Sequence, residues 1–141
     1  MKNKTSVTKG NIKHRQWHLI DLSGQTLGRI STKIAALLMG KDQVAFSFHR
    51  DDGGYVVAIN AKEIQVTGRK LRQKHYYKYS NFPGGLKDFT LEELLDRDPR
   101  EVIMRSVGGM LPKNKLRDLR LSRLKVFVGS EHPYAEKFKQ K

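Results

Sequence analysis

Residues 17–40 read WHLIDLSGQTLGRISTKIAALLMG, and this stretch decides the fold. Its first part, residues 18–22, predicts a short strand, and residues 23–25 predict a turn. From residue 26 to residue 39 the apolar side chains recur with the spacing of one helical face, and Gly40 supplies a C-terminal cap. A strand, a turn and a helix in this order begin an α/β unit.

Later apolar runs extend this unit. Residues 55–59 (YVVAI) are continuously apolar, which is typical of a strand covered on both faces. The alternation at 64–67 indicates another strand nearby. A short basic helix at 116–121 and a strand at 124–128 end the series. Strands interleaved with helices predict a three-layer α/β/α domain on a mostly parallel sheet of about four strands.

Two further helices have clear start signals. Thr90 and Glu93 have the spacing of a capping box, and Asp98 before Pro99 places a capping acid ahead of a proline at the first helical position. The second of these helices is expected to stop at the glycine pair 108–109.

Length and composition indicate one compact body with basic extensions. With 141 residues, 38% of them hydrophobic, we expect a single domain over 16–135, a flexible basic arm over 1–15 and a basic tail over 136–141. No run approaches the roughly 18 apolar residues of a membrane span, and the chain has no cysteine. We therefore expect a cytoplasmic protein without a membrane partner.

The positive charge is concentrated in three stretches. Residues 1–18, 64–87 and 113–125 hold 17 of the 28 Lys and Arg residues and a single acid, Asp118. Charge segregated in this way predicts a docking surface for a densely negative partner, because self-repulsion alone would destabilise the fold. Nucleic acid is the first candidate.

The second stretch interleaves cations with aromatic rings. Over 70–82, three cations (Arg72, Lys74 and Lys78) alternate with Tyr76, Tyr77, Tyr79 and Phe82. Cations neutralise phosphates and exposed rings stack on bases, so this pattern is typical of RNA-binding loops. The alternative is a strand with its tyrosines partly in the core, and we expect alternate tyrosines to face inward.

The other basic motifs have equally plain alternatives. The glycines of Pro83-Gly84-Gly85 would let a phosphate approach the backbone, or would form a plain turn. Arg117, Arg120 and Arg123 would form one row on a helix that could follow a phosphate backbone, or a solvated face.

The sequence gives little indication of an enzyme or of a metal-binding protein. The Gly24 to Gly28 turn lacks the third glycine of a dinucleotide fingerprint, and Gly40-Lys41 is followed by Asp42 in place of Ser or Thr. His14 and His18 have no acid or thiol close by. We therefore expect no catalytic residues, no metal, no cofactor and no small-molecule substrate. A DNA-binding architectural protein stays open as a rival on electrostatic grounds, although no zinc finger, basic zipper or helix-turn-helix is recognisable.

An ordered set of motifs resembles a known family. Residues 109–114 (GMLPKN), then 124–129 (LKVFVG) and the His132-Pro133 pair closely resemble the universal large-subunit ribosomal protein family thirteen, of the bacterial type. The resemblance covers about residues 15–135. It departs at Arg117-Asp118, where the family usually has Gly-Arg, and at four single positions, namely Phe48, Gly54, Tyr79 and Tyr134.

The resemblance implies an α/β/α domain in the large ribosomal subunit that binds 23S-type rRNA and supports early subunit assembly. It also implies neighbouring large-subunit proteins as partners, no dedicated homo-oligomer, and a cytoplasmic ribosome in preference to an organellar one. Taking motifs and resemblance together, the residues expected to contact RNA are Lys13, Arg15, Arg29, Lys41, His49, Arg69, Lys70, Arg72, Lys74, Tyr76, Tyr77, Lys78, Gly84, Gly85, Lys87, Lys113, Asn114, Lys115, Arg117, Arg120, Arg123, Lys125 and His132.

Overall fold

A computed structural model describes residues 15–44 and 46–138. Its strands are β1 (Trp17–Asp21), β2 (Tyr55–Ile59), β3 (His75–Tyr79), β4 (Leu86–Thr90) and β5 (Leu124–Val126). Its helices are α1 (Leu27–Met39), α2 (Lys70–Gln73), α3 (Leu91–Arg97), α4 (Pro99–Met110), α5 (Leu116–Ser122) and α6 (Ala135–Phe138), with a 3-10 turn at Ala61–Glu63. Apart from Arg15, the expected arm over 1–15 lies outside the described residues.

The central sheet is parallel, with the strand order β1-β2-β5. The α/β class predicted from the sequence is therefore confirmed, with three strands in the described part of the sheet where about four were expected. The segment at 64–67 makes only an isolated bridge between Thr26 and Gln65. Its backbone bonds to the β1–α1 turn and to the start of α1, since Gln65 N–H donates to Gln25 O at 2.9 Å and Leu27 N–H donates to Gln65 O at 2.9 Å.

One face of the sheet carries the hydrophobic core. Ile20, Val56, Ala58 and Leu124 point to this face and lie in one buried cluster with side chains from α1 and α4. The helical members of the cluster include Ile30, Ile34, Leu38, Val102, Ile103 and Val107. The period of two along β1 and β2 leaves Trp17 and Tyr55 on the opposite face.

The opposite face is covered by the C-terminal segment. Trp17 stacks on Tyr55 with ring centroids 4.4 Å apart, and Tyr134 and Phe138 contact the same indole at 5.3 and 6.3 Å. The cover includes a single turn of helix, α6, in place of a second full helical layer. The expected tail boundary at residue 136 therefore falls inside a segment that packs on β1.

The helix ends follow the local signals except at one place. Gly40 adopts φ 79° and caps α1 through Ala36 O and Leu37 O, and the Thr90 capping box is present at α3. Helix α4 does not stop at the glycine pair 108–109 but continues to Met110. Neither glycine has a positive φ, and a Cβ added at Gly108 would lie 3.5 Å from Leu121 of α5. The glycine therefore allows the close approach of α5 to α4.

Asp51 holds three arginines together. Its carboxylate accepts hydrogen bonds from Arg123 at 2.5 and 2.6 Å and lies 3.5 Å from Arg15 and from Arg120. The same arginines donate to backbone carbonyls, namely Arg15 to Gly53 O at 2.7 Å, Arg120 to Arg50 O at 3.1 Å and Arg123 to Leu38 O at 3.2 Å. Arg50 pairs with Asp52 next to this cluster. The start of β1, the loop before β2 and α5 are thereby tied to one carboxylate.

The expected exposed row of Arg117, Arg120 and Arg123 is corrected by this arrangement. Arg120 is 2% exposed and Arg123 is 6% exposed. The spacing of three does place the arginines on one side of α5, but that side faces the body of the protein. The acid that pairs with Arg123 is 72 positions away in sequence, so the presence of only one acid, Asp118, within 113–125 gave no indication of it.

The pKa of Asp51 reflects this setting. Burial by itself raises the pKa, but the hydrogen bonds and charge of Arg123, with the charges of Arg15 and Arg120, outweigh burial and hold the pKa below its usual 3.8. A folded-state pKa below the unfolded value stabilises the fold at all pH values above the unfolded pKa of about 3.9. This contribution is lost as the pH falls through the folded-state pKa.

We expect Asp51→Asn to lower the free energy of unfolding at pH 7 by about 3 kcal/mol, because it leaves buried guanidinium groups without their counter-charge. The variant should also lose less stability than the natural chain between pH 5 and pH 2. Urea denaturation across this range measures both effects. The control is Asp118→Asn, which removes an exposed carboxylate from the same basic segment and should cost less than about 1 kcal/mol. Equal losses for the two variants would contradict the assignment of Asp51.

Gly53 is expected to tolerate no side chain. A Cβ at this position would lie 1.8 Å from Leu38 O and 2.4 Å from Leu38 C, both backbone atoms. Gly53→Ala should therefore displace the loop that anchors Arg15 and lower the free energy of unfolding by about 3 kcal/mol. Gly109→Ala is the matched control, since nothing lies within 4 Å of its added Cβ and alanine favours the helix. Thermal unfolding should show a lower midpoint for Gly53→Ala and an unchanged or higher midpoint for Gly109→Ala.

Candidate nucleic-acid interface

The interleaved stretch forms a short helix followed by an antiparallel hairpin. Helix α2 leads into β3, which pairs with β4 so that Tyr76 lies opposite Phe89 and Lys78 opposite Lys87. The base of the hairpin is tied to α3, because Leu91 N–H donates to Lys74 O at 2.9 Å. We call the segment 69–90 the basic hairpin.

One face of the basic hairpin carries an aromatic anchor and two lysines. Tyr76 is half-buried against the core, and its ring lies 5.1 Å from Lys74 Nζ and 5.5 Å from the Arg105 guanidinium. Farther out, Lys78 and Lys87 lie directly opposite each other on the same face. Like charges in this position destabilise a strand pair. An anion bound between them would relieve the repulsion.

The other face presents exposed apolar side chains. Tyr77 is 61% exposed, and Tyr79 and Leu86 are each 59% exposed. The expectation that alternate tyrosines face inward therefore holds for Tyr76, and the two tyrosines of the opposite face point to solvent. His75 and Asp88 lie on this second face with His75 Nδ1 3.0 Å from both carboxylate oxygens.

The glycine pair forms the turn of the hairpin. Gly84 adopts φ 73°, and Gly85 N–H donates to Phe82 O at 2.9 Å. A Cβ at Gly85 would lie 2.0 Å from Ser80 Oγ, so the turn geometry accounts for a glycine there. Phe82 stands at the tip with 72% of its surface exposed. A phosphate contact at Gly84 and Gly85 stays a prediction.

The basic hairpin carries six cations and one acid, Asp88, which lies 3.0 Å from His75 Nδ1. The cations of the segment are exposed and form no ion pair with any described residue; they are Arg69, Lys70, Arg72, Lys74, Lys78 and Lys87. The structure thus brings six expected RNA-contact cations to one segment, with rings beside them.

The remaining expected contacts divide by exposure. Those that are exposed and available to a partner are Arg29, Lys41, His49, Lys113, Asn114 and Lys115. The half-buried ones are Arg117, Lys125 and His132, and Nδ1 of this histidine accepts the N–H of Tyr134 at 3.2 Å. Lys13 lies outside the described residues. Arg15, Arg120 and Arg123 are committed to Asp51, as described above.

The position where the chain departs from the family pattern also has a structural setting. Arg117 reaches over α4, where its Nη2 would lie 3.5 Å from a Cβ added at Gly108. Asp118 is exposed in the first turn of α5, where a negative charge is favourable to the helix dipole. Arg117 is therefore accommodated by packing against α4, and Asp118 by its place at the start of α5.

Sequence reasoning missed the internal role of the residues that precede β2. No internal role was predicted for Asp51 and Asp52, yet they pair with Arg123 and Arg50 in the charged cluster of the protein. The available signal was an adjacent pair of acids in a chain with 14 acidic and 28 basic residues. The exposed Leu86 on the ring-bearing face was also missed.

The described ranges contain neither a metal-binding cluster nor a helix that could span a membrane. Within residues 15–44 and 46–138, no three His, Asp or Glu side chains are grouped so as to hold a metal ion. The helices of these ranges are all too short or too polar to cross a membrane.

Comparison with known proteins gives the same family as the motifs. A family model described as ribosomal protein L13 matches residues 15–133. The large ribosomal subunit protein uL13 of Clostridioides difficile (strain 630) is 45% identical over 132 residues, which are 94% of this chain and 92% of that protein. The protein of the same name from Maridesulfovibrio salexigens is 47% identical over 131 residues, covering 93% and 92%. With a match of this extent, the chain belongs to the ribosomal protein L13 family.

Proposed function

We propose that this protein is a structural constituent of the large ribosomal subunit and binds large-subunit rRNA through the basic hairpin. Membership of the L13 family supports the subunit, since the relatives are named as large ribosomal subunit proteins. The observation that carries the RNA contact is the two-faced hairpin, with Lys78 opposite Lys87 on one face and exposed tyrosines on the other.

The two faces suit the two chemical parts of RNA. Phosphate oxygens would neutralise the facing lysines, and such contacts position a protein on folded RNA. Unpaired bases would stack on Tyr77 and Tyr79, since RNA is read mainly at splayed or single-stranded bases. A hairpin of this kind therefore fits between a phosphate backbone and exposed bases.

The rest of the proposed interface surrounds a rigid body. We infer that the single domain over 16–135 holds the basic hairpin and the exposed residues Lys113 and Lys115 in fixed relative positions. Arg15 is bound to the same body through Gly53 O and Asp51 O. The protein would thus join separate rRNA segments early in subunit assembly, beside other large-subunit proteins, without any catalytic step. Bacterial relatives favour a cytoplasmic ribosome.

We expect the double variant Lys78→Ala/Lys87→Ala to bind large-subunit rRNA less tightly. The slope of log affinity against log salt should shrink by roughly 1.5, because two phosphate contacts are lost. Removal of the like-charge pair should leave the thermal midpoint unchanged or higher. Fluorescence anisotropy between 50 and 200 mM salt, the range over which such contacts dominate, measures the slope. Lys33→Ala/Lys62→Ala removes the same charge from exposed sites elsewhere and should change the slope little; equal slopes for both pairs would count against the interface.

The face that carries Tyr77 and Tyr79 can be tested by a different effect on RNA binding. Tyr77→Ala/Tyr79→Ala should weaken rRNA binding by about 1–3 kcal/mol for each ring that stacks on a base, with the salt slope unaltered because no charge is removed. Tyr77→Phe/Tyr79→Phe keeps both rings and should bind as the natural chain does. The same titrations give both quantities. If the alanine pair binds normally, the rings are not in contact with bases.

A further inference from the structure

An apolar cleft of about 430 Å³ lies beside the basic hairpin. Its walls come from the first turn of α1, the segment at 66–67, α2, the first residue of α3 and the end of α4. The apolar lining consists of Leu27, Val66, Leu91 and Met110. The volume lies in the range of roughly 300–1,000 Å³ in which proteins hold small organic ligands.

The charge around this cleft is positive only. Lys70 and Lys74 line it, and no acid is among its lining residues; the first turn of α1 carries no acid either. A second cleft of about 550 Å³ on the described part of the chain differs, because two acids (Glu92 and Asp96) and two cations (Lys62 and Arg97) line it and leave no net charge. A polyanion would therefore be attracted to the first cleft but not to the second.

We propose that the first cleft receives one unpaired nucleobase of the bound RNA, with the flanking phosphates on Lys70 and Lys74. This inference rests on the proposed rRNA-binding function. The cleft is continuous with the basic hairpin, since Lys74 lines the cleft, precedes β3 and lies over the ring of Tyr76. Apolar walls suit the faces of a heterocycle, and the lysines on the lining suit its phosphates.

Gly28 keeps the cleft open. It lies in the first turn of α1 and lines the cleft, and a Cβ added there meets nothing within 4 Å. Glycine weakens a helix at such a position, so its presence leaves space where a side chain would otherwise stand. Met110, which lines the cleft, is close to α1, because its Sδ lies 3.3 Å from Thr32 Oγ1, a hydroxyl that also lies 3.1 Å from Gly28 O.

The test fills the cleft without removing charge. The probes are an RNA octamer of adenosine and an abasic octamer of the same backbone. The host is the full chain carrying Tyr77→Ala/Tyr79→Ala/Phe82→Ala, which removes the exposed tyrosine and phenylalanine rings of the basic hairpin. In this background the adenosine octamer should bind roughly five-fold or more tighter than the abasic one. Gly28→Leu should abolish this preference and leave abasic binding unchanged.

Two controls separate filling from other effects. Gly28→Ala strengthens the helix but leaves most of the cleft open, so the base preference should persist. Gly109→Leu adds the same side chain at another open helical glycine that does not line the cleft, and it should also keep the preference. Thermal midpoints of all three variants should be at or above that of the host, because neither glycine has a close neighbour.

A second readout places the base directly. With ¹³C-methyl methionine, the Met110 resonance should move upfield on adding the adenosine octamer and stay in place with the abasic one. Met39, which is buried in the core, serves as the internal reference. Loss of the Met110 shift in Gly28→Leu would complete the assignment.

The outcomes also separate this inference from the proposed function. Full base preference in Gly28→Leu, or an unmoved Met110 resonance, overturns the cleft assignment while rRNA binding stands. If Gly28→Leu binds RNA normally but does not enter large subunits, the cleft contacts a neighbouring protein. This result also overturns the assignment of the cleft to a nucleobase. If the natural chain binds neither octamer nor rRNA at physiological salt, the proposed function itself fails.

Discussion

The fold depends on one carboxylate that neutralises guanidinium groups inside a chain of net charge +14. Asp51 binds Arg123 through two short hydrogen bonds and draws Arg15 and Arg120 to the same place. A buried charge without a partner is strongly destabilising, so these arginines can enter the interior only because the loop before β2 brings an acid to them. The same contact joins segments that are far apart in sequence, and it thereby fixes α5 and the start of β1 against the sheet.

This internal pairing divides the cations of the protein into two classes. Arg120 and Arg123 are buried and belong to the interior. The cations of the basic hairpin are exposed, and the one acid of that segment lies against His75. The number of cations therefore overstates how many are exposed along 113–125, whereas all six cations of 69–90 are exposed. The arginines that stabilise the body are thus different residues from the cations proposed to contact a polyanion, so a change in one set need not alter the other.

The limits of prediction follow from where each determinant lies in the chain. The strand-turn-helix start, the Gly40 cap and the Thr90 capping box depend on neighbours within a few residues, and the sequence predicted them. Gly108 lies inside α4, where it leaves room for Leu121 of another helix, and the inward direction of Arg123 depends on Asp51. Both contacts are distant in sequence, so local patterns predicted the end of α4 and the direction of Arg123 wrongly. For the candidate site, the composition of the basic hairpin was legible in sequence. The opposition of Lys78 and Lys87 required the register of the strands.

That register links the hairpin's own stability to its proposed partner. Tyr76 and the bond from Leu91 to Lys74 hold the base of the hairpin, but the outer part pairs two lysines and exposes its rings to water. A ligand that binds only the ordered hairpin stabilises it by mass action, and a phosphate between the lysines also removes their repulsion. The outer part of the hairpin thus carries a local cost in stability when the protein is alone in water. The proposed RNA contact would offset this cost, because it would place phosphate between the lysines and cover the exposed rings.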